Sequence, residues 1–123
     1  MSEKKSRIMI VDDEADILLV LGEYLGKEGF TVLACQSGEQ AISKIKEDKV
    51  DLALVDMAMP VMDGIETLKK LKAIKSDLPV IMITAYRDAE KVVNAFRLGA
   101  FDCIFKPFDL KYLLEAVINN LRK

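Results

Sequence analysis

Five polar side chains of the types that handle phosphate follow short apolar segments of this sequence. They are Asp12, Asp13, Asp56, Thr84 and Lys106. Carboxylates that lie close together repel one another, and proteins tolerate such groups when a cation lies between them. An all-oxygen site suits Mg²⁺, which commonly takes one or two carboxylates together with phosphate oxygens. The residue types therefore predict a magnesium-dependent phosphoryl site with Mg²⁺ as its cofactor.

The same side chains have the chemistry that phosphoryl transfer requires. A carboxylate such as Asp56 can act as the nucleophile, because aspartate is a known phosphoryl acceptor. Lys106 supplies a compact positive charge for a phosphoryl oxygen, and the Thr84 hydroxyl can donate a hydrogen bond to another. Each residue alone has an ordinary explanation in a turn, a cap or a solvated loop. Their joint occurrence at the ends of several strands favours a functional site.

Five pairs of a strand and a helix must position these residues. The apolar pattern predicts strands at residues 7–11, 30–35, 52–55, 79–83 and 101–105. The following helices are predicted to begin at Ala15, Ser37, Asp63 or Gly64, Asp88 and Asp109. At the second helix, Ser37 and Gln40 match a capping box, in which the Gln40 side chain would bond the Ser37 backbone N–H.

The third and fourth predicted strands are almost wholly apolar. Such strands are typical of a parallel sheet that is covered by helices on both faces. Right-handed crossovers place the helices on the two sides, which gives an open α/β fold. Sheets of this kind bind ligands beyond the carboxyl ends of their strands. The five polar residues follow strands one, three, four and five, so we expect them at one edge of the sheet.

Composition limits the class of protein. The chain has 123 residues, of which 51% are hydrophobic and 31% charged, and this predicts one globular domain. Its net charge of -2 gives no basic footprint for direct nucleic-acid binding. No apolar segment reaches the ~20 residues of a membrane span, and residues 1–7 do not resemble a signal peptide, so a cytoplasmic location is expected. Cys35 and Cys103 are expected to be reduced thiols.

Histidine is absent from the sequence. This excludes catalytic triads, zinc sites and phosphohistidine chemistry that would rely on a histidine of this chain. If the chain handles a phosphoryl group, carboxylates, hydroxyls and lysines must do so.

Five motifs, in order, resemble response-regulator receiver domains of two-component signalling. They are V-D-D-E at 11–14, L-V-D-M-A-M-P-V-M-D-G at 54–64, I-T-A at 83–85, G-A-F-D at 99–102 and K-P-F at 106–108. The resemblance extends from about residue 7 to the last helix. It implies a doubly wound (βα)5 flavodoxin-like fold with a five-stranded parallel sheet in the order 2-1-3-4-5. It also implies a single receiver domain over residues 1–123, with a core of about 7–122.

The resemblance implies a role for each residue of the acidic set. Asp56 would be the phosphoacceptor. Asp13, Asp56 and the backbone carbonyl of Ala58 would ligate Mg²⁺ directly, and Asp12 would act mainly through a metal-bound water.

The resemblance also implies the roles of the residues that contact the phosphoryl group. Thr84 would move to hydrogen-bond that group, and Lys106 would pair with it. Pro107 would follow a cis peptide bond, which is rare enough to indicate a constrained turn.

Three positions bear on the switch and on the lifetime of the phosphorylated state. The family often has Tyr or Phe at the position of Cys103, where the ring changes exposure together with Thr84 on activation. Polar side chains are common at the position of Ala58, and Tyr86 lies two residues after Thr84. We expect Ala58 and Tyr86 to modulate hydrolysis of the aspartyl phosphate.

The sequence therefore predicts a phosphoacceptor switch without independent turnover. A sensor histidine kinase or a histidine phosphotransfer protein would present the phosphohistidine, and a downstream effector domain or protein would receive the signal. No direct contact with nucleic acid or membrane is expected.

Several alternatives remain at this stage. The first is a stand-alone phosphorelay intermediate, which the Cys103 position mildly favours. A second is an aspartyl-nucleophile hydrolase of the haloacid-dehalogenase type, although Ala58 replaces the second acid of that family's motif. A flavodoxin-like binding module would need a phosphate loop where this chain has D-D-E. An interaction-only receiver would not need the full acidic set.

Overall fold

Five strands and five helices alternate along the chain in a computed structural model that describes residues 6–85 and 89–121. The strands are β1 (Arg7–Val11), β2 (Thr31–Cys35), β3 (Leu52–Asp56), β4 (Val80–Thr84) and β5 (Asp102–Phe105). The helices are α1 (Ala15–Lys27), α2 (Gly38–Glu47), α3 (Gly64–Ile74), α4 (Ala89–Arg97) and α5 (Leu110–Leu121). The predicted series of strand and helix pairs is confirmed.

The strands form one parallel sheet in the order β2-β1-β3-β4-β5. This is the predicted doubly wound, flavodoxin-like arrangement. β3 and β4 are buried along their whole length, in agreement with their continuous apolar sequences. Strand order reverses between β1 and β3, so the carboxyl ends of these two strands flank the crevice where ligands bind in such sheets.

Helices cover both faces of the sheet. One buried cluster joins the sheet to α2, α3 and α4 through Ala41, Ile45, Leu68, Leu71 and Ala95. The opposite cluster joins it to α1 and α5 through Leu18, Leu21, Leu25, Leu113 and Val117. None of the helices among the described residues has the length and apolar content to span a membrane.

Three strands begin one residue later than predicted. Phe30 belongs to the turn that ends α1, because its backbone N–H donates to the Leu25 carbonyl at 3.1 Å. β4 begins after Pro79, which has no N–H for the sheet, and β5 begins after Phe101. Phe30, Pro79 and Phe101 therefore belong to the segments that connect helix to strand and not to the strands themselves.

The N-terminus of α2 differs in one contact from the predicted capping box. Ser37 Oγ accepts a hydrogen bond from the Gln40 backbone N–H at 3.1 Å, as expected. The Gln40 side chain, however, accepts from the backbone N–H of Gln36 at 2.7 Å and not from that of Ser37. The extended backbone of Ser37 leaves the preceding N–H within reach of the Gln40 amide.

Helix caps were predicted at the N-termini of α3, α4 and α5, and the structure describes two of them. Asp63 Oδ1 accepts from the Glu66 N–H at 2.9 Å at the start of α3. Asp109 Oδ1 accepts from the Lys111 N–H at 2.9 Å at the start of α5. Asp88, the cap predicted for α4, lies outside the described residues.

Candidate functional site

Asp56 and Asp12 lie side by side because they end neighbouring strands. Asp56 is the last residue of β3, and Asp12 directly follows β1, where its N–H donates to the Cys35 carbonyl at 3.0 Å. Both side chains are buried, at 5% and 2% exposure, whereas Asp13 is exposed. One carboxylate oxygen from each of Asp12, Asp13 and Asp56 lies within 4.8 Å of the other two. The three predicted acids are thus together at one edge of the sheet.

Lys106 reaches this acidic group from the end of β5. Its Nζ lies 3.7 Å from Asp56 Oδ1 and 3.8 Å from Asp12 Oδ2. The Lys106 backbone N–H donates to the Thr84 carbonyl at 2.8 Å, and the peptide bond to Pro107 is cis, as predicted. Lys106 thus pairs with two of the three carboxylates, and among the described residues of the cluster negative charge is in excess.

The pKa values of the buried acids reflect this excess. The pKa of Asp56 is raised to about 6, first by burial and then by the negative charge of Asp12, while Lys106 and the Ala58 N–H act in the opposite direction. Burial also raises the pKa of Asp12, against a 2.9 Å hydrogen bond from the Glu14 N–H. A divalent cation would relieve the repulsion, and three clustered carboxylates are the hard oxygen donors that Mg²⁺ prefers. The residues present therefore fit Mg²⁺.

The loop between β3 and α3 folds back tightly on Asp56. The Gly64 N–H donates to the Met57 carbonyl at 3.0 Å, and a Cβ at Gly64 would lie 2.3 Å from the Asp56 backbone oxygen. A side chain at this position is excluded by that approach. Within the loop, Val61 has a positive φ of 67° and is 94% exposed, an unusual conformation for a β-branched residue.

Ala58 lies beside Asp56, on the loop that follows β3. Its backbone N–H points toward Asp56 Oδ1 at 3.5 Å, and its small side chain is exposed. The predicted ligand role of the Ala58 carbonyl stays a prediction. Tyr86, the other predicted modulator, lies outside the described residues.

Thr84 and Cys103 occupy different parts of the sheet. Thr84 is fully buried as the last residue of β4, one position beyond Ile83, the register partner of Asp56. Cys103 lies on the edge strand β5, pairs in register with Met82 at the middle of β4, and packs against the cluster of α2, α3 and α4. Thr84 therefore lies at the edge that carries the acids, whereas the switch role of Cys103 stays a prediction.

Both cysteines are free, as predicted. Burial raises the pKa of the Cys35 thiol to about 11, and burial also raises the pKa of Cys103. Both groups are therefore protonated thiols at neutral pH.

Comparison with known proteins identifies the family. The sequence model of the response regulator receiver domain family matches residues 8–118. The chain belongs to this family. It is 41% identical over 116 residues to the chemotaxis protein CheY of Bacillus subtilis, covering 94% of this chain and 97% of CheY. It is 39% identical over 117 residues to sporulation initiation phosphotransferase F of the same species, covering 95% and 92% of the two chains.

A solved structure agrees with the fold of this receiver domain. The CheY-like receiver domain protein from Methanospirillum hungatei superimposes with a TM-score of 0.94 at 33% identity, over 97% of this chain and 95% of that one. The receiver domain also matches part of a longer relative, the regulatory protein AtoC of Escherichia coli, of which it covers 23% at 40% identity.

Family membership defines the general function. The receiver domain is a phosphoacceptor in two-component signalling, and its class of partner is the histidine kinase or the histidine phosphotransfer protein. The predicted family and its general role as a phosphoacceptor in two-component signalling are therefore confirmed.

Two features of the receiver site could not be found from side-chain type. The backbone N–H groups of Glu14 and Ala58 face the carboxylates of Asp12 and Asp56. Every residue except proline carries such a donor, so the sequence holds no signal for it. The favourable partners of the buried acids are therefore partly main-chain groups that only the folded loops bring into place.

Proposed function

We propose that Asp56 accepts the phosphoryl group and that Asp12, Asp13 and Asp56 hold the required Mg²⁺. The observation that carries this proposal is the placement of the buried Asp56 carboxylate. It lies 3.7 Å from the Lys106 ammonium, and oxygens of Asp12 and Asp13 lie within 4.8 Å. A nucleophile, a countercharge and an oxygen-rich cation site thus meet at the end of a central strand.

The phosphoryl donor comes from outside, because this chain has no histidine. An Asp56 oxygen forms a bond to phosphorus as the bond from phosphorus to the imidazole nitrogen of the partner breaks, and that nitrogen keeps the electron pair. Bound Mg²⁺ would neutralise charge on the phosphoryl oxygens. Lys106 provides a second positive charge, and the Thr84 hydroxyl donates to a phosphoryl oxygen. We retain the Ala58 carbonyl as a proposed further ligand.

The proposal is tested by phosphorylation with acetyl phosphate and Mg²⁺, followed by intact mass measurement. We expect the wild-type chain to gain one phosphoryl group and Asp56→Asn to gain none. Asp77→Asn is the matched control, because Asp77 lies in the exposed turn before β4, where it pairs with Lys75. A mass gain that survives Asp56→Asn would refute the assignment.

A second candidate is a phosphorelay intermediate that passes its phosphoryl group to another protein. Cys103 favours it, since a receiver without an aromatic residue there lacks the ring half of the usual switch. The similarity to a protein named as a phosphotransferase supports the same idea. We expect a phosphorelay intermediate to transfer radiolabelled phosphate from Asp56 to a histidine phosphotransfer protein within seconds to minutes. Retention of the label on Asp56 would favour a terminal switch.

We propose further that the domain does not act as a phosphatase on external substrates. Ala58 occupies the position where an aspartyl-nucleophile hydrolase carries its second acid, so no general acid stands two residues after Asp56. A chromogenic phosphate ester should give no sustained release of phenolate. Turnover of many equivalents that disappears in Asp56→Asn would overturn this proposal.

A further inference from the structure

A cleft opens beside the phosphoacceptor, between the loop that follows β3 and helix α4. Its volume is about 620 Å³. The described residues that line it are Met57, Ala58, Met59, Asp63, Ile65, Lys91 and Asn94. The sequence did not indicate this cleft, because Lys91 and Asn94 look like ordinary exposed residues of an amphipathic helix.

The cleft adjoins the proposed site of phosphoryl transfer. Three of its lining residues directly follow Asp56, and the N–H of one of them, Ala58, faces Asp56 Oδ1. In phosphoryl transfer the leaving group departs roughly in line with the attacking oxygen, so the donor needs space beyond the phosphorus atom. The cleft offers space next to the acceptor on the side where α4 lies.

The lining of the cleft has two chemical halves. Met57, Met59 and Ile65 form an apolar part, and Met57 and Met59 are themselves buried. Lys91 and Asn94 lie three residues apart on α4, a spacing that places both on one face of the helix. An ammonium and an amide together suit a carboxylate. Asp63 is the acidic lining residue, and its Oδ1 accepts from the Glu66 N–H.

We propose that this cleft binds the leaving group of small acyl phosphates, with Lys91 and Asn94 contacting the departing carboxylate. This inference rests on the proposed function of Asp56. With acetyl phosphate, an Asp56 oxygen forms a bond to phosphorus as the bond from phosphorus to the acetyl oxygen breaks. The acetate takes the bonding electron pair and leaves as an anion without needing a proton. Its methyl group lies toward the methionines and its carboxylate toward α4.

Two phosphodonors with different leaving groups test this inference. Acetyl phosphate releases an anionic carboxylate, whereas phosphoramidate releases neutral ammonia. The rate constant for phosphorylation of Asp56 is measured with each donor and Mg²⁺ for wild type, Lys91→Ala and Asn94→Ala. Both positions are exposed, so neither change opens the core. Lys111→Ala, an exposed lysine of α5, is the control for loss of one positive charge.

We expect Lys91→Ala to slow phosphorylation by acetyl phosphate about fivefold, the scale of a partly exposed charge contact. Asn94→Ala should slow it by a smaller factor, and phosphoramidate rates should stay within about twofold of wild type in both variants. Equal slowing with both donors, or unchanged rates with acetyl phosphate, would overturn the inference while leaving Asp56 as the acceptor. Failure of the wild type to react with either donor would instead overturn the proposed function and the inference with it.

Discussion

Asp56 combines burial with proximity to other acids, which are two conditions that oppose ionisation. The proposed attack on phosphorus requires its carboxylate in the charged form, yet its pKa is raised to about 6 without a bound cation. A metal ion beside it would lower that pKa and favour the reactive form. The charge that the proposed phosphoryl transfer requires at Asp56 therefore destabilises the metal-free fold.

We predict that Asp56→Asn stabilises the metal-free protein at pH 7. A raised pKa means that the native state binds the proton more tightly than the unfolded chain. Stability from this group is thus present below pH 4 and is lost as pH rises through about 6. The neutral amide avoids that loss, on the order of 2 kcal/mol at pH 7. Urea unfolding in EDTA at several pH values would measure the difference.

The pH dependence separates this effect from a packing effect. The stabilisation by Asp56→Asn should shrink as pH falls and approach zero at about pH 3, where the wild-type carboxyl is largely protonated in both states. A constant advantage over the whole pH range would argue against the electrostatic explanation.

We also predict that Ala58 influences how long the aspartyl phosphate lasts. Its exposed methyl group leaves the approach to Asp56 open, and a larger polar side chain would occupy that approach and bind water there. Ala58→Asn should change the hydrolysis rate of the phosphorylated chain about threefold, a shift in barrier of about 0.7 kcal/mol. Loss of radiolabel after removal of the donor measures it. Identical half-lives would remove Ala58 from the list of modulators.

At the scale of elements, the loop that connects β3 to α3 restricts the position of Asp56 more than either the strand or the helix does. The Gly64 N–H bonds the Met57 carbonyl, and Asp63 caps α3. Since Gly64 leaves no space for a Cβ, the start of α3 and the end of β3 are held in contact. Any shift of the helix would therefore move the Asp56 backbone.

We predict that Gly64→Ala destabilises the fold and slows phosphorylation. The added Cβ would lie 2.3 Å from the Asp56 oxygen and 2.5 Å from Met57 Cα, so backbone must move. We expect a loss of about 2 kcal/mol or more, typical of overpacking against atoms that cannot rotate away. Urea unfolding and the acetyl phosphate reaction would measure the two effects.

A second glycine provides the matched control. A Cβ at Gly26, inside α1, would meet nothing within 4 Å. Gly26→Ala should stabilise the protein by about 0.5 kcal/mol, because alanine restricts the unfolded chain and favours helix. Equal effects of the two substitutions would contradict the close-approach explanation for Gly64.

The sequence predicted these elements well because apolar runs and polar strand ends are local signals. Asp12, Asp56, Thr84 and Lys106 each follow or end an apolar run, and parallel strands place their carboxyl ends at one edge. The predicted starts of β2, β4 and β5 were each one residue too early. A residue such as Phe30 has strand-like character, but its N–H is used by the preceding helix.

Features that depend on three-dimensional contact could not be predicted. The Gln40 side chain accepts a hydrogen bond from the Gln36 N–H and not from the Ser37 N–H. Which of these two donors it meets depends on the reach of the side chain within one turn. Val61 has a positive φ, although its branched side chain disfavours this conformation. The residue type therefore predicts a negative φ, which is not what the structure has. Lys91 and Asn94 line a cleft only because α4 packs beside the loop of β3.

For the whole molecule, metal binding and folding are linked. The acidic site is assembled from β1 and β3, so Mg²⁺ should bind the native state much better than the unfolded chain. At ten times its dissociation constant, Mg²⁺ should add about 1.4 kcal/mol of stability. That corresponds to a rise in melting temperature of roughly 4 °C.

Thermal unfolding in MgCl2, compared with NaCl of equal ionic strength, would test this prediction. Asp13→Asn should weaken the response, because it removes a carboxylate from the site, while Asp77→Asn should preserve it. A melting temperature that is the same in both salts would count against the acidic metal site.

The distribution of the site over the chain has one more consequence. Asp12, Asp13 and Asp56 precede the turn between α3 and β4, and Thr84 and Lys106 follow it. Ser76 and Asp77 in that turn are exposed and lie at the sheet edge opposite to the site. A protein cut there yields two fragments. Each fragment carries only part of the proposed site, and strands β3 and β4 would have to pair again to restore it. Phosphate incorporation would then report fragment complementation directly, so this domain could serve as a split-protein reporter.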